Sequence, residues 1–346
     1  MITKTITYCD AINEAIMHEM ERDPSVFIYG IGVPDHKKIF GSTKNILEKF
    51  GPNRCLDTPI SEDAMTGVGL GAAINGLRPI HVHIRVEFLL LAMNQIANMI
   101  SSFNYGYNVP VPIVIRAIIG RGWGQGFQHS KSMHSTFAHI PGLKVICPTT
   151  PRDAKGMMLA AIQDNNPVLI FEHRWLYWQT GEVPVEDIPT QIGIGHIVRE
   201  GKHVTVVATS WMNVEALVAA NILKEKGIEI EIIDPRSIVP LDEDIIINSV
   251  NKTKHCIVAD NDWTFCGFSS EVAAIVSEKC FGNLLTPVKR IGFAQTPCPT
   301  VRNLENEFYP NAEKIVRAVE NMLDLPNMDL SNHIFYSHEN KFKGPF

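Results

Sequence analysis

The feature that most constrains this chain is a rhythm of short apolar runs and helical segments, interrupted once and then resumed. Residues 26–29, 79–86, 111–116, 144–147 and 168–173 read as strands. Between them, a helix is expected behind Asp10 as cap, with Ile12, Ala15, Ile16 and Met20 at helical spacing, and further helices over 65–77, 88–103 and 152–163. Residues 178–195 carry prolines, acids and glycines without helical period and read as a linker. The rhythm restarts with strands at 204–209, 229–234 and 255–260 and helices at 214–226 and 269–279. Strands alternating with helices predict an α/β chain of two domains with mostly parallel sheets. The expected boundaries are 1–180, a linker at 181–195, 196–325, and a polar tail at 326–346 that is either loose or an arm lying on a partner.

Charge and cysteine content narrow the function classes. The net charge of −6 gives no electrostatic reason to expect nucleic acid or an anionic membrane as partner. The seven cysteines are odd in number, widely spaced and free of any C-x-x-C, which favours reduced thiols in a cytoplasmic or similarly reducing compartment over disulfides or zinc. The first ten residues are polar and carry no charged-then-apolar leader, and the longest apolar runs, 88–93 and 157–162, are far too short to span a bilayer.

The chemistry-bearing residues begin with Asp57-Thr58-Pro59-Ile60-Ser61-Glu62, just ahead of a glycine-rich helix. A carboxylate at such a strand-to-helix junction lies where α/β sheets bind ligands. The same residue also reads as an ordinary acid at a helix N-terminus, with Ser61 as its cap. Phe88 opens an apolar helix and reads equally as core. His129 follows a loop with four glycines among residues 120–126, a composition suited to motion or to close approach of a ligand; the alternative is a surface histidine. Asp164-Asn165-Asn166 offers either a helix C-cap or oxygen ligands for a hard cation.

Several motifs stand together in order. Residues 57–62 read D-T-P-I-S-E, 71–80 G-A-A-I-N-G-L-R-P-I, 128–130 Q-H-S, 141–145 P-G-L-K-V, 153–156 D-A-K-G, 164–168 D-N-N-P-V, 233–236 I-D-P-R, 240–242 P-L-D and 287–290 P-V-K-R. Over roughly residues 4–325 the chain resembles the beta subunit of the thiamine-diphosphate-dependent decarboxylating component of 2-oxoacid dehydrogenase complexes, of the pyruvate, branched-chain or acetoin type. This resemblance implies a transketolase-like pyrimidine-binding domain followed by a transketolase C-terminal domain.

The resemblance also implies roles. Glu62 is expected to hydrogen-bond the aminopyrimidine ring of thiamine diphosphate, Phe88 to stack on it and Ile60 to line the same pocket. His129 is expected to face the substrate, a small 2-oxoacid. A structural K+ is expected on Ile113, Ala161, Ile162, Asp164 and Asn166. The diphosphate and Mg2+ call for a G-D-G motif, which this chain lacks. They are therefore expected on an alpha subunit, in an α2β2 heterotetramer that passes the acyl group to a lipoyl acyltransferase. The chain departs from the family at 81–88, H-V-H-I-R-V-E-F, where family members carry acidic and then aromatic residues; Lys131, His134 and the stretch 260–267 depart as well. Arg85 is either a paired structural ion or, with His83, a reader of an anionic substrate. That second possibility keeps open a split transketolase-like transferase acting on a sugar or another carbonyl compound. A non-catalytic scaffold is a third reading, and the retained Glu62 and His129 argue against it.

Overall fold

The computed structural model describes residues 2–120 and 125–335, which divide into two compact units. The first holds the chain up to residue 120 and residues 131–192. Its elements are β1 (Thr3–Thr7), α1 (Tyr8–Arg22), β2 (Val26–Tyr29), α2 (Ile46–Phe50), β3 (Cys55–Leu56), α3 (Glu62–Ile74), β4 (Arg78–His83), α4 (Val86–Leu89), α5 (Ser101–Tyr107), β5 (Val114–Ile119), α6 (His134–Ala138), β6 (Lys144–Ile146), α7 (Pro151–Gln163), β7 (Val168–His173) and β8 (Thr180–Pro184). The strands lie in the order β6-β7-β5-β4-β2-β3, every neighbouring pair parallel.

Local chemistry sets the helix starts. The Thr7 hydroxyl accepts from the Asp10 amide at 3.0 Å, so α1 begins three residues ahead of the expected Ala11. Thr150 caps α7 in the same way through Asp153, with Pro151 in the first turn. Ile12, Ile16 and Met20 of α1 are buried, and α1 packs along α7. Each such side chain contributes about 1.5–3 kcal/mol of burial.

Two expectations need correction here. Residues 180–184, placed partly in the linker, form β8, which pairs antiparallel with β1. A strand whose partner lies at the other end of the domain leaves little local period. The helix expected over 88–103 is broken: α4 passes through a tight turn at Leu90–Ala92, bends by 65°, and resumes as a π-helical stretch, Gln95–Ile100, leading into α5. Leu89, Ala92, Ile96 and Ile100 are all fully buried through the bend.

The second unit holds residues 125–130 and 193–335. It contains β9 (His196–Arg199), β10 (Val204–Ala208), α8 (Trp211–Lys224), β11 (Ile230–Asp234), β12 (Ser237–Val239), α9 (Glu243–Thr253), β13 (Cys256–Trp263), α10 (Phe268–Lys279), β14 (Lys289–Phe293), α11 (Arg302–Phe308) and α12 (Ala312–Met322). Its five-stranded sheet runs β14-β13-β10-β11-β9, parallel except for β9. Apolar residues of α8 and α12 close one face. On β10, Thr205 bonds Ser249 and Thr253 of α9, each at 2.7 Å.

Two boundaries move. Residues 125–130 join this second unit rather than the first: the Tyr309 hydroxyl donates to the Ser130 carbonyl at 2.7 Å, and a Cβ on Gly126 would lie 2.5 Å from Thr300. The start of the expected tail is folded, with Leu330 buried in the α8–α12 core and the Met328 amide donating to Glu320 at 2.6 Å. Residues 121–124 and 336–346 of the expected loop and tail lie outside the described residues.

Candidate functional site

A cleft opens in the first unit at the C-terminal ends of β2 and β4, above the first turn of α3, lined among others by Thr58, Glu62, Met65, His83, Ile84 and Phe88. Such a position is where parallel α/β sheets place ligands. Asp57 shapes the loop leading in by accepting from the amides of Gly32 and Thr58, each at 2.9 Å. Glu62 opens α3 and is half-buried. Ser61 makes no side-chain capping bond, so the ordinary capping-box reading does not hold. Phe88, half-buried on α4, faces the cleft instead of the core. Ile60 stands 84 % exposed and does not line the cleft.

The floor of the cleft is polar, aromatic and sealed from water. Tyr29 stacks on His81 with ring centroids 4.3 Å apart, and His83 lies tilted against His81 at 4.2 Å. His83 Nε2 lies 3.3 Å from His81 Nδ1, which also meets the Thr66 hydroxyl at 3.3 Å. Burial pulls His81 well below the usual histidine range, helped by His83, and burial alone pulls His83 down to about 4. Both rings are therefore neutral near pH 7. The Tyr29 hydroxyl donates to the Met65 carbonyl at 3.1 Å and pins α3 to the sheet. It does so over Gly69, where a Cβ would lie 2.1 Å from the Tyr29 oxygen.

Arg85 is 6 % exposed, lies over the Phe40 ring at 5.3 Å and donates to the Ile84 carbonyl. Burial lowers its pKa, with Glu87 acting the other way. The structure thus places it among core groups and not on the cleft. Glu87 accepts from the Lys131 amide at 2.8 Å, and His134 is buried edge-on to Phe171. His129 ends a short helical turn, 126–128, in the segment that groups with the second unit. Tyr29, Thr66 and His81 escaped the sequence reading. Their signals were an H-x-H on one face of a strand and a threonine one helical turn past Glu62.

Comparison with known proteins bears on what this cleft serves. The transketolase pyrimidine-binding domain family matches residues 4–179, and the transketolase C-terminal domain family matches 193–315. The beta subunit of acetoin:2,6-dichlorophenolindophenol oxidoreductase from Bacillus subtilis is 39% identical over 342 residues, 95% of this chain and 100% of that protein. The 2-oxoisovalerate dehydrogenase beta subunit of the same organism is 39% identical, over 92% of this chain and 99% of its own. The chain belongs to the beta subunits of the 2-oxoacid dehydrogenases. A split-gene transketolase, solved as an inactive beta4 tetramer, shares the fold of this beta subunit at TM-score 0.76 and 24% identity, covering 93% of this chain and 99% of its own. Enzymes of this beta-subunit family depend on thiamine diphosphate and work with an alpha subunit.

Most of the potassium ligands implied for such a beta subunit lie at the end of α7, where the oxygens of Ile162 and Asp164 already meet cations of the chain itself. Arg78 donates to the carbonyls of Ile162 at 2.9 Å and Asp164 at 3.0 Å. Lys144 pairs with the Asp164 carboxylate, whose other oxygen accepts from the Asn166 amide at 2.8 Å. Ala161 and Ile113 accept from the amides of Asp164 and Val168, and the Asn166 side-chain oxygen accepts from Asn104. Each carbonyl keeps a second lone pair, but at Ile162 and Asp164 an added cation would share the oxygen with a fixed guanidinium or ammonium. The donor set fits poorly. Among the described residues no group of three or more His, Cys, Asp or Glu could hold a metal ion.

Proposed function

We propose that this chain supplies the pyrimidine half of a shared active site in a 2-oxoacid dehydrogenase, with Glu62 on the ring edge and Phe88 on the ring face of thiamine diphosphate. One observation carries the reading: a carboxylate at a helix start and an aromatic ring from a different helix converge in a single cleft that Met65 and Ile84 line with apolar surface and His83 and Thr58 with polar groups. Such a slot suits a flat heteroaromatic ring with one polar edge. When bound, the cofactor supplies the carbanion that attacks the 2-oxo carbonyl. Glu62 then has one task, to hold a proton at the ring nitrogen.

The rest of the assembly is read as follows. An alpha subunit holds the diphosphate and Mg2+, because this chain has no G-D-G motif, and the two subunits pair as α2β2. His129 serves the substrate, and a lipoyl acyltransferase receives the acyl group. Seven free cysteines suit a reducing, cytoplasmic compartment. The transferase reading on sugar phosphates loses its motive, since Arg85 is committed to the core and His83 is neutral.

Calorimetric titration of the chain with its alpha partner tests the proposal. Thiamine diphosphate with Mg2+ is expected to bind only the pair. Glu62→Gln is expected to cut turnover by about 10²–10⁴-fold while the fold, read by circular dichroism, is kept. Undiminished turnover in that variant would remove Glu62 from the chemistry.

A further inference from the structure

We propose that His83 touches the ligand in the cleft as a neutral hydrogen-bond acceptor through Nδ1, and that Thr66 and His81 fix this polarity. The inference rests on the cleft being the cofactor and substrate site, and adds what kind of group that site reads.

Thr66 is fully buried, and among the described residues its hydroxyl has one side-chain partner, His81 Nδ1. A buried hydroxyl proton needs an acceptor. If His81 Nδ1 carried a hydrogen, the Thr66 proton would face another donor, so His81 Nδ1 is bare. The His83 Nε2 atom 3.3 Å away must then carry its hydrogen, or two lone pairs would oppose each other. A ring that burial keeps neutral holds only one such hydrogen. His83 Nδ1 is therefore bare, and the ring's one hydrogen bond among the described residues runs through Nε2. His83 is itself only 4 % exposed, yet it lines the cleft. A buried ring in contact with the cleft, with one nitrogen committed and the other open, is a reading head for whatever enters.

The chemical class follows. A bare, neutral imidazole nitrogen accepts from an amine or a hydroxyl and repels the lone pairs of a carboxylate or phosphate. Glu62 lies on the same cleft and adds to that preference for a donor. The group facing this wall is thus an N–H or O–H donor, such as the exocyclic amine of an aminopyrimidine or the hydroxyl of a hydroxyketone, and the anionic parts of the ligand point elsewhere. The feature belongs to this chain's departure from the family pattern at 81–88 and is absent from the motifs it shares.

The test is nitrogen-15 NMR of histidine-labelled full chain in complex with its alpha partner, the two signals assigned with His81→Phe and His83→Phe. Thiamine diphosphate with Mg2+ is the first probe and 4-amino-5-hydroxymethyl-2-methylpyrimidine the second. The ligand-free protein should show both rings neutral with hydrogen on Nε2. On binding, His83 Nδ1 should shift as an acceptor. His83→Phe should weaken the pyrimidine by about tenfold, from one lost hydrogen bond, and His83→Asn, whose oxygen can stand near Nδ1, should restore most of it. Hydrogen on Nδ1, a charged ring at neutral pH, or unchanged affinity in His83→Phe each overturns the proposal. Affinity that depends on Glu62 while His83 stays silent sinks this inference alone. Affinity indifferent to both Glu62 and His83 sinks the site reading with it.

Discussion

The two faces of the first sheet hold polar groups in opposite ways. Strand alternation puts His81 and His83 of β4 on the face that meets α3, and sends Val82 to the other face beside Arg116 of β5, its register partner. On that second face, Arg116 and Glu172 are both fully buried and make a forked pair at 2.6 and 2.9 Å, with Arg116 Nη2 also donating to the Ser42 hydroxyl, Tyr177 donating to Glu172, and Arg116 Nη1 left without a partner among the described residues. Burial opposes the charge of Arg116, but Glu172 more than offsets this and raises its pKa. Burial and the Glu172 charge both raise Tyr177. The charged face is thus internally neutralised and fully buried, whereas the histidine face is uncharged and leaves one nitrogen open beside the cleft. On the first of these faces charge is matched by charge within the fold; on the other a neutral ring lies beside the cleft with one nitrogen unspent.

The sharpest way to break the contrast is Arg116→Met. Stripping one partner from a buried pair strands the other charge, and a loss of about 3–5 kcal/mol is expected in chemical denaturation. The pyrimidine affinity of the molecules still folded should not change. Adding Glu172→Leu and Tyr177→Phe should recover much of the loss, because the stranded carboxylate goes too. A single variant as stable as the parent would mean the charged face contributes nothing to the fold.

The histidine face should show itself next, through acid. His83 titrates near 4 in the fold and near 6.5 when unfolded. Between those values the unfolded chain binds a proton that the folded chain refuses, so stability falls as pH drops through that window and is flat above it. The loss amounts to roughly 3 kcal/mol by pH 4 for this one ring. His81, shifted the same way, steepens it. Denaturation midpoints from pH 7.5 to 4 should fall less in His83→Phe than in the parent. Parallel curves would mean that His83 is solvated, and would dissolve the distinction between the faces.

How far the sequence carried is visible on these same strands. The βα rhythm, Glu62 and Phe88 were legible because each sits in a local pattern: an apolar run, a helix start, a motif block. The Tyr29–Met65 and Thr66–His81 bonds were not, because they join elements that meet only after the sheet has formed. Strand β8 was hidden for the same reason, its partner β1 lying at the far end of the domain. Arg85 stood open between a structural and a recognition role until Phe40, more than forty positions earlier, was found beneath it.

The smallest effect concerns the end of α7, where the contrast between satisfied and open groups makes a direct forecast. The oxygens there resemble the charged face: Arg78 and Lys144 already supply positive charge to Ile162 and Asp164. Two unit charges about 4 Å apart near a protein surface repel by about 4 kcal/mol, so a potassium ion entering among them is opposed rather than drawn. Thermal midpoints in potassium chloride and in choline chloride of equal ionic strength should agree within about 0.5 kcal/mol of stability, since an ion that does not bind the folded state cannot stabilise it. Lys144→Gln frees the Asp164 carboxylate and should create a potassium response where the parent has none. A potassium-specific rise in the parent would show that the second lone pairs of these carbonyls are available after all, and that a group bonded once is not thereby closed.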